Sequence, residues 1–164
     1  MKSLALAVSL LFSLGAASAQ VLQSASVNQL VDQLAAPANV PATRGLRNLS
    51  VQARSVDLLI QFDFDSAKLQ DVSKPLLDNL VDAMNNDRLM ALRFKVEGHT
   101  DGKGSATYNQ QLSQRRAASV VSYMREHGVE MNRLISEGKG SSELLFPDKP
   151  EAMENRRVRI VTTP

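Results

Sequence analysis

Cysteine is absent from all 164 residues, and so is tryptophan. Without cysteine no disulfide can form, and no N-terminal thiol is available to carry a lipid. Aromatic residues make up only 4% of the chain, leaving few platforms on which single-stranded nucleic acid or sugar rings could stack. Two isolated histidines and no cysteine offer too few ligands for a metal centre, and no cofactor motif is present. The formal net charge of +2 includes Lys2, so the remainder is close to neutral. That is far from the basic surface nucleic acid requires. Beyond the first residues there is no second long apolar run and no series of alternating barrel strands.

What is present begins with Met1-Lys2-Ser3, an apolar run from Leu4 to Leu14, and Gly15-Ala16-Ala17-Ser18-Ala19. A positive start, a short apolar stretch and a small-x-small ending predict a secretory signal peptide over residues 1–19, cut after Ala19. An uncleaved anchor is the alternative, for which the run is short.

Residues 20–54 differ in pattern from the remainder of the chain. Val27, Leu30, Val31 and Leu34 have helical spacing, then Pro37 and Pro41 interrupt, and Arg44, Arg47 and Arg54 come next with little apolar pattern. The segment reads as a linker holding one short amphipathic helix that could dock a partner; the alternative is a mostly disordered spacer.

The compact domain is expected over residues 55–164. Strands are predicted at Val56–Phe62, Ala91–Glu97, Arg133–Glu137 and Arg157–Thr163 from β-formers and alternation. A helix is predicted from a Ser73 cap with Pro75 in its first turn, carrying Leu77, Leu80, Val81 and Met84 on one stripe. A longer helix runs from a Ser105 cap to about His127, with Tyr108, Leu112, Val120, Val121 and Met124 as its buried side. The order strand-helix-strand-helix-strand-loop-strand gives an α/β domain: a mixed four-stranded sheet packed with helices on one or both faces.

The chemistry concentrates in Gly98-His99-Thr100-Asp101 and the helix behind it. Asn109, Ser113, Arg116 and Val120 fall along one helix face, and Asp101 lies in the loop leading into its N-terminus. A carboxylate and a guanidinium held a short distance apart suit a zwitterionic amino-acid head group. A mutual Asp101–Arg116 salt bridge, or Asp101 capping a turn, fits the same spacing. Arg115 lies about 100° round the helix from Arg116 and is expected to face solvent. His99, with Asp101 and Ser105 or Ser113 nearby, does not make a nucleophile-base-orienter triad from spacing alone, and His127 lies at the far end of a long helix. No catalytic residue is assigned.

Four separated motifs occur in order: Phe62-Asp63-Phe64-Asp65-Ser66, Gly98-His99-Thr100-Asp101 with Gly104, Asn109 through Leu112-Ser113 to Arg116-Ala117, and Asn155-Arg156-Arg157-Val158. In these the chain resembles the OmpA-like peptidoglycan-associating domain family over Val56 to Thr163. That family includes peptidoglycan-associated lipoproteins and flagellar stator proteins. The resemblance implies a non-enzymatic periplasmic protein that tethers to the cell wall by binding the meso-diaminopimelate of the peptide stem. It assigns the ammonium to Asp101 and the carboxylate to Arg116. Asn109 and Leu112 shape the pocket, Phe62 and Asp63 line it, and Thr100 supplies polar contacts. Arg156 and Arg157 also fit the pattern, although charge on the exposed face of a final strand accounts for them without ligand contact. The implied partners are the peptidoglycan stem and an outer-membrane or envelope-complex protein, the latter reached through residues 20–54.

Overall fold

The computed structural model describes residues 20–35 and 53–163. The predicted signal segment, Pro37, Pro41, Arg44 and Arg47 lie outside the described residues.

A five-stranded mixed sheet has the order β1-β2-β5-β3-β4. Its strands are β1 (Val21–Leu22), β2 (Ser55–Leu58), β3 (Arg93–His99), β4 (Leu134–Gly140) and β5 (Val158–Thr163). The helices are α1 (Val27–Leu34), α2 (Lys74–Met84) and α3 (Ala106–Glu126). The sequence predicts four strands. The fifth, β1, pairs in parallel with β2 through Val21–Asp57 and Leu22–Leu58. Two residues carry too little period-2 pattern to announce a strand.

Residues 20–35 are therefore part of the domain rather than a spacer before it. Ser26 and Gln29 form a reciprocal capping box that starts α1. The predicted stripe is real, but Leu30, Val31 and Leu34 are buried in the domain's own core with Leu77, Leu80 and Leu58. The Asn79 side chain donates to the Ala25 carbonyl, and Arg88 pairs with Asp32 at 2.6 Å. This corrects the expectation of a docking helix: its apolar face is already covered.

The core lies on one face of the sheet. Phe94 and Val96 of β3, Val158 and Ile160 of β5, and Val56 and Leu58 of β2 meet Leu77, Leu80, Ala117 and Val120. The opposite face is charged. Arg159 stands between Asp57 and Glu97 in the register, and Glu97 stands beside Glu137. Lys95 and Lys139 bridge the acidic pair, Lys139 reaching Glu137 at 2.9 Å.

Helix α3 sits unusually close to the strands that point at the site. A Cβ on Gly98 would run into the Ser113 carbonyl, and one on Gly138 would meet Ser113 Oγ and the Gln114 backbone. Glycine at both positions lets the helix backbone approach the sheet directly. Gln114 Oε1 accepts from Gly138 N at 2.6 Å, and Gln110 Nε2 donates to the Gly138 carbonyl. These side chains occupy backbone groups on the outer edge of β4 that would otherwise stand open.

Candidate functional site

The C-terminal ends of β3 and of the β2 extension converge on the N-terminal half of α3. Regular pairing of β2 stops at Leu58, short of the predicted Phe62. Leu59–Gln61 carry the chain outside regular pairing to Phe62, which makes an isolated antiparallel bridge with Leu69. Ser73 does not cap α2 with its side chain as expected; its Oγ accepts from Gln61 N at 2.7 Å and pins this extension. Asp63 N donates to the Lys68 carbonyl and Ser66 N to the Asp63 carbonyl, folding residues 63–68 into a tight loop. Asp65 at its tip has φ 51°, a left-handed conformation that Asp tolerates better than most residues.

On the other side, Gly98 and His99 continue β3 past the predicted strand end at Glu97. Thr100 N donates to the Gly140 carbonyl. Asp101 Oδ1 accepts from Lys103 N at 3.1 Å, a local turn of the kind short acids form. Asn109 is buried and donates to the carbonyls of Lys103 (2.9 Å) and Asp101 (3.4 Å), holding the loop against α3. Ser105 caps the helix by accepting from Tyr108 N.

Between these elements lies a cleft of about 530 Å³. Phe62, Asp63, Thr100, Asp101, Asn109, Leu112 and Arg116, the seven residues singled out from sequence, all line it. Tyr108, expected on the buried side of α3, is 40% exposed at its rim. Arg115 is solvent-exposed, as its position round the helix predicts.

Asp101 caps its turn through Lys103 N, one of the arrangements its spacing allows, but the expected alternative of a salt bridge to Arg116 is not formed. Asp101 Oδ2 instead lies 2.7 Å from Nη1 of Arg156. Arg116 donates its Nε to the Ser66 carbonyl at 3.0 Å and lies over the Phe62 ring, 5.0 Å from its centroid. Burial pushes the Arg116 pKa down, with Arg156 the next largest cause. An arginine remains charged through such a shift, but its desolvated guanidinium favours an incoming anion.

The Arg156/Arg157 expectation is corrected. Arg157 is not on an exposed face: it is buried and donates its Nε to Asp57 at 2.8 Å, where Arg159 also docks. Arg156 precedes β5 and lines the cleft. Two adjacent arginines look alike in sequence, and only the turn at Met153–Asn155 sends one outward and the other under the sheet. Asn155 holds that turn, accepting from Phe146 N and donating to the Lys149 and Pro150 carbonyls.

His99 is fully enclosed, and neither ring nitrogen has a hydrogen-bond partner among the described residues. Burial, then Arg157 and Arg159, push its pKa down to about 4.

A family model described as the OmpA family matches residues 61–158. Outer membrane protein A of Bordetella avium is 36% identical over 104 residues, covering 60% of this chain and 51% of that protein. The peptidoglycan-associated lipoprotein of Burkholderia pseudomallei has a similar crystal structure, with TM-score 0.55 and 28% identity, covering 67% of this chain and 90% of that one. The periplasmic domain of Helicobacter pylori MotB shares the fold at TM-score 0.60 and 20% identity, covering 69% and 77% of the two chains. The matched stretch thus spans about half of the Bordetella relative, and 30% of a Pseudomonas aeruginosa outer membrane porin F.

Proposed function

The chain belongs to the OmpA family, and from that membership we propose that it is a non-enzymatic periplasmic protein that binds peptidoglycan through the meso-diaminopimelate of the peptide stem. One observation carries this reading: Asp101 and Arg116 line the same cleft without pairing to each other. Arg116 spends one bond on the Ser66 carbonyl, so the rest of its fork is free to take a carboxylate in two parallel bonds. Asp101 accepts one backbone N–H and one arginine, and a carboxylate can accept about four hydrogen bonds. An ammonium can therefore join Arg156 on Asp101 without displacing it. Leu112 and the Phe62 ring supply apolar surface for the methylenes between the two charged ends.

The Burkholderia relative is named a peptidoglycan-associated lipoprotein, which supports the same class of ligand. Other relatives are named outer membrane proteins, which supports a place in the periplasm beside the outer membrane. A wall-hydrolase reading finds no support in the sealed, neutral His99. The reading in which α1 docks an envelope partner loses its motivation once Leu30, Val31 and Leu34 pack inside the domain. Attachment to the wall gains from many identical stems on one polymer, so modest affinity for each is sufficient.

Co-sedimentation with purified sacculi tests the proposal. Wild type is retained, and a folded Asp101→Ala, Arg116→Ala double variant stays in solution. Equal retention of the two would remove the cleft from the function.

A further inference from the structure

The Met153–Asn155 turn is built around one buried side chain. Asn155 is fully enclosed and does not line the cleft. Its amide is used at both ends. Oδ1 accepts from Phe146 N at 2.9 Å, and Nδ2 donates to the carbonyls of Lys149 and Pro150, each at 3.0 Å.

The Pro150 carbonyl has a second donor. Gly102 N reaches it at 2.7 Å from the loop that carries Asp101. The two loops touch there closely: a Cβ on Gly102 would stand 2.8 Å from Pro150 Cβ. Gly102 is the middle residue of the turn in which Asp101 Oδ1 accepts from Lys103 N at 3.1 Å. The other carboxylate oxygen, Oδ2, is held by Nη1 of Arg156, the residue that follows Asn155. Both oxygens of Asp101 are thus set by contacts that lead back to Asn155, one through Pro150 and Gly102, the other through the backbone of the turn. Asn109 holds the same loop from α3 through the carbonyls of Asp101 and Lys103, and its amide reaches neither carboxylate oxygen.

We infer that Asn155 is a positioning residue for the binding cleft, fixing the direction of the Asp101 carboxylate from behind without touching the ligand. This rests on the proposed role of Asp101 toward an ammonium. An ammonium joins a carboxylate along lone pairs that its existing donors leave free. A carboxylate turned out of place loses that charge-assisted bond although its charge remains. Asn155→Ala removes all three amide hydrogen bonds, so the 146–150 loop no longer presents the Pro150 carbonyl to Gly102 and the turn no longer aims Arg156.

Amide hydrogen exchange on the whole chain reads this without ligand, and co-sedimentation with sacculi reads it with the wall. In Asn155→Ala the Gly102 amide should exchange about tenfold faster, while the amides of Phe94 and Val96 in β3 keep their wild-type protection. Apparent affinity for sacculi should fall about tenfold in the same variant. Gly102→Ala presses on Pro150 from the other end of the contact, at an exposed position, and serves even if Asn155→Ala does not fold. It should lose a similar factor in affinity with the urea midpoint unchanged. Glu154→Ala, exposed on the same turn, should match wild type in exchange and retention. A folded Asn155→Ala with wild-type exchange at Gly102, or with wild-type retention on sacculi, overturns the inference and leaves the cleft reading intact. So does a Gly102→Ala variant that binds as wild type. Wild-type protein that sacculi do not retain overturns the cleft reading and this inference with it.

Discussion

Arg156 Nη1 lies 2.7 Å from Asp101 Oδ2, so Asp101 pairs in the cleft with Arg156 and not with Arg116. The consequence is a division of labour between two arginines. Arg156 steadies the carboxylate, which a backbone N–H from Lys103 also restrains. Arg116 is left with its fork directed at the cleft and its plane resting on Phe62.

Replacing Arg116 by lysine separates geometry from charge. Lysine keeps the positive charge but loses the planar fork, the Nε bond to Ser66 and the flat contact with Phe62. Retention on sacculi should fall about tenfold in apparent affinity, the loss of one charge-assisted bond. Arg115→Lys, one residue away but solvent-facing, should bind as wild type. If the two variants bind alike, Arg116 acts only through its field.

Asp57 supports the sheet beneath the site. Its carboxylate accepts from Arg157 Nε and from Nε and Nη2 of Arg159, and Arg157 is buried. Asp57→Ala would leave a buried guanidinium without its carboxylate. Removing one partner of such a pair costs about 3–5 kcal/mol. Urea unfolding followed by circular dichroism should show a loss of that order; a midpoint within error of wild type would mean water replaces the carboxylate freely.

Much of this architecture is legible in the chain. Alternation in Leu92-Phe94-Val96 and the Ser105 cap mark β3 and α3, because periodicity and capping are local signals. The seven cleft residues come from their motifs and do converge. The strand Val21–Leu22 is not legible, since it exists only by pairing with β2. Nor is the fate of the α1 stripe: an amphipathic pattern says that a helix has a face to bury, not which surface buries it. Arg156 illustrates the same limit at the site. Its role depends on a turn held by Asn155 hydrogen bonds, and no spacing rule connects residues 101 and 156.

The N-terminal helix should behave as core. Leu30 is fully buried among residues that include Leu77 and Leu80, so Leu30→Ala removes apolar contacts and leaves a void. Such truncations cost about 2–5 kcal/mol. A helix reserved for a partner would instead tolerate the change with no shift in the urea midpoint, and thermal denaturation of the isolated protein distinguishes the two.

His99 should make the fold acid-sensitive in a defined window. Its ring is enclosed, and Nε2 stands 3.9 Å from Glu97 Oε2, outside hydrogen-bond range. Burial is the main reason its pKa falls from 6.5 to about 4, reinforced by Arg157 and Arg159 and opposed by Asp57 and Glu143. The folded chain therefore keeps this histidine neutral over a range where the unfolded chain protonates it. Above about pH 6.5 neither state binds the proton, and stability is unaffected. Between about 6.5 and 4 the unfolded state binds more protons, so stability declines as pH falls, by an amount on the order of 3 kcal/mol across the window. Below about 4 both states are protonated and this contribution stops changing. Exposed and paired carboxylates also titrate at the acid end, so the useful comparison is between wild type and His99→Gln. Unfolding free energies measured at pH 7 and pH 4.5 should differ less in the variant than in wild type. Identical slopes would mean that the ring takes up its proton equally in the folded and the unfolded chain.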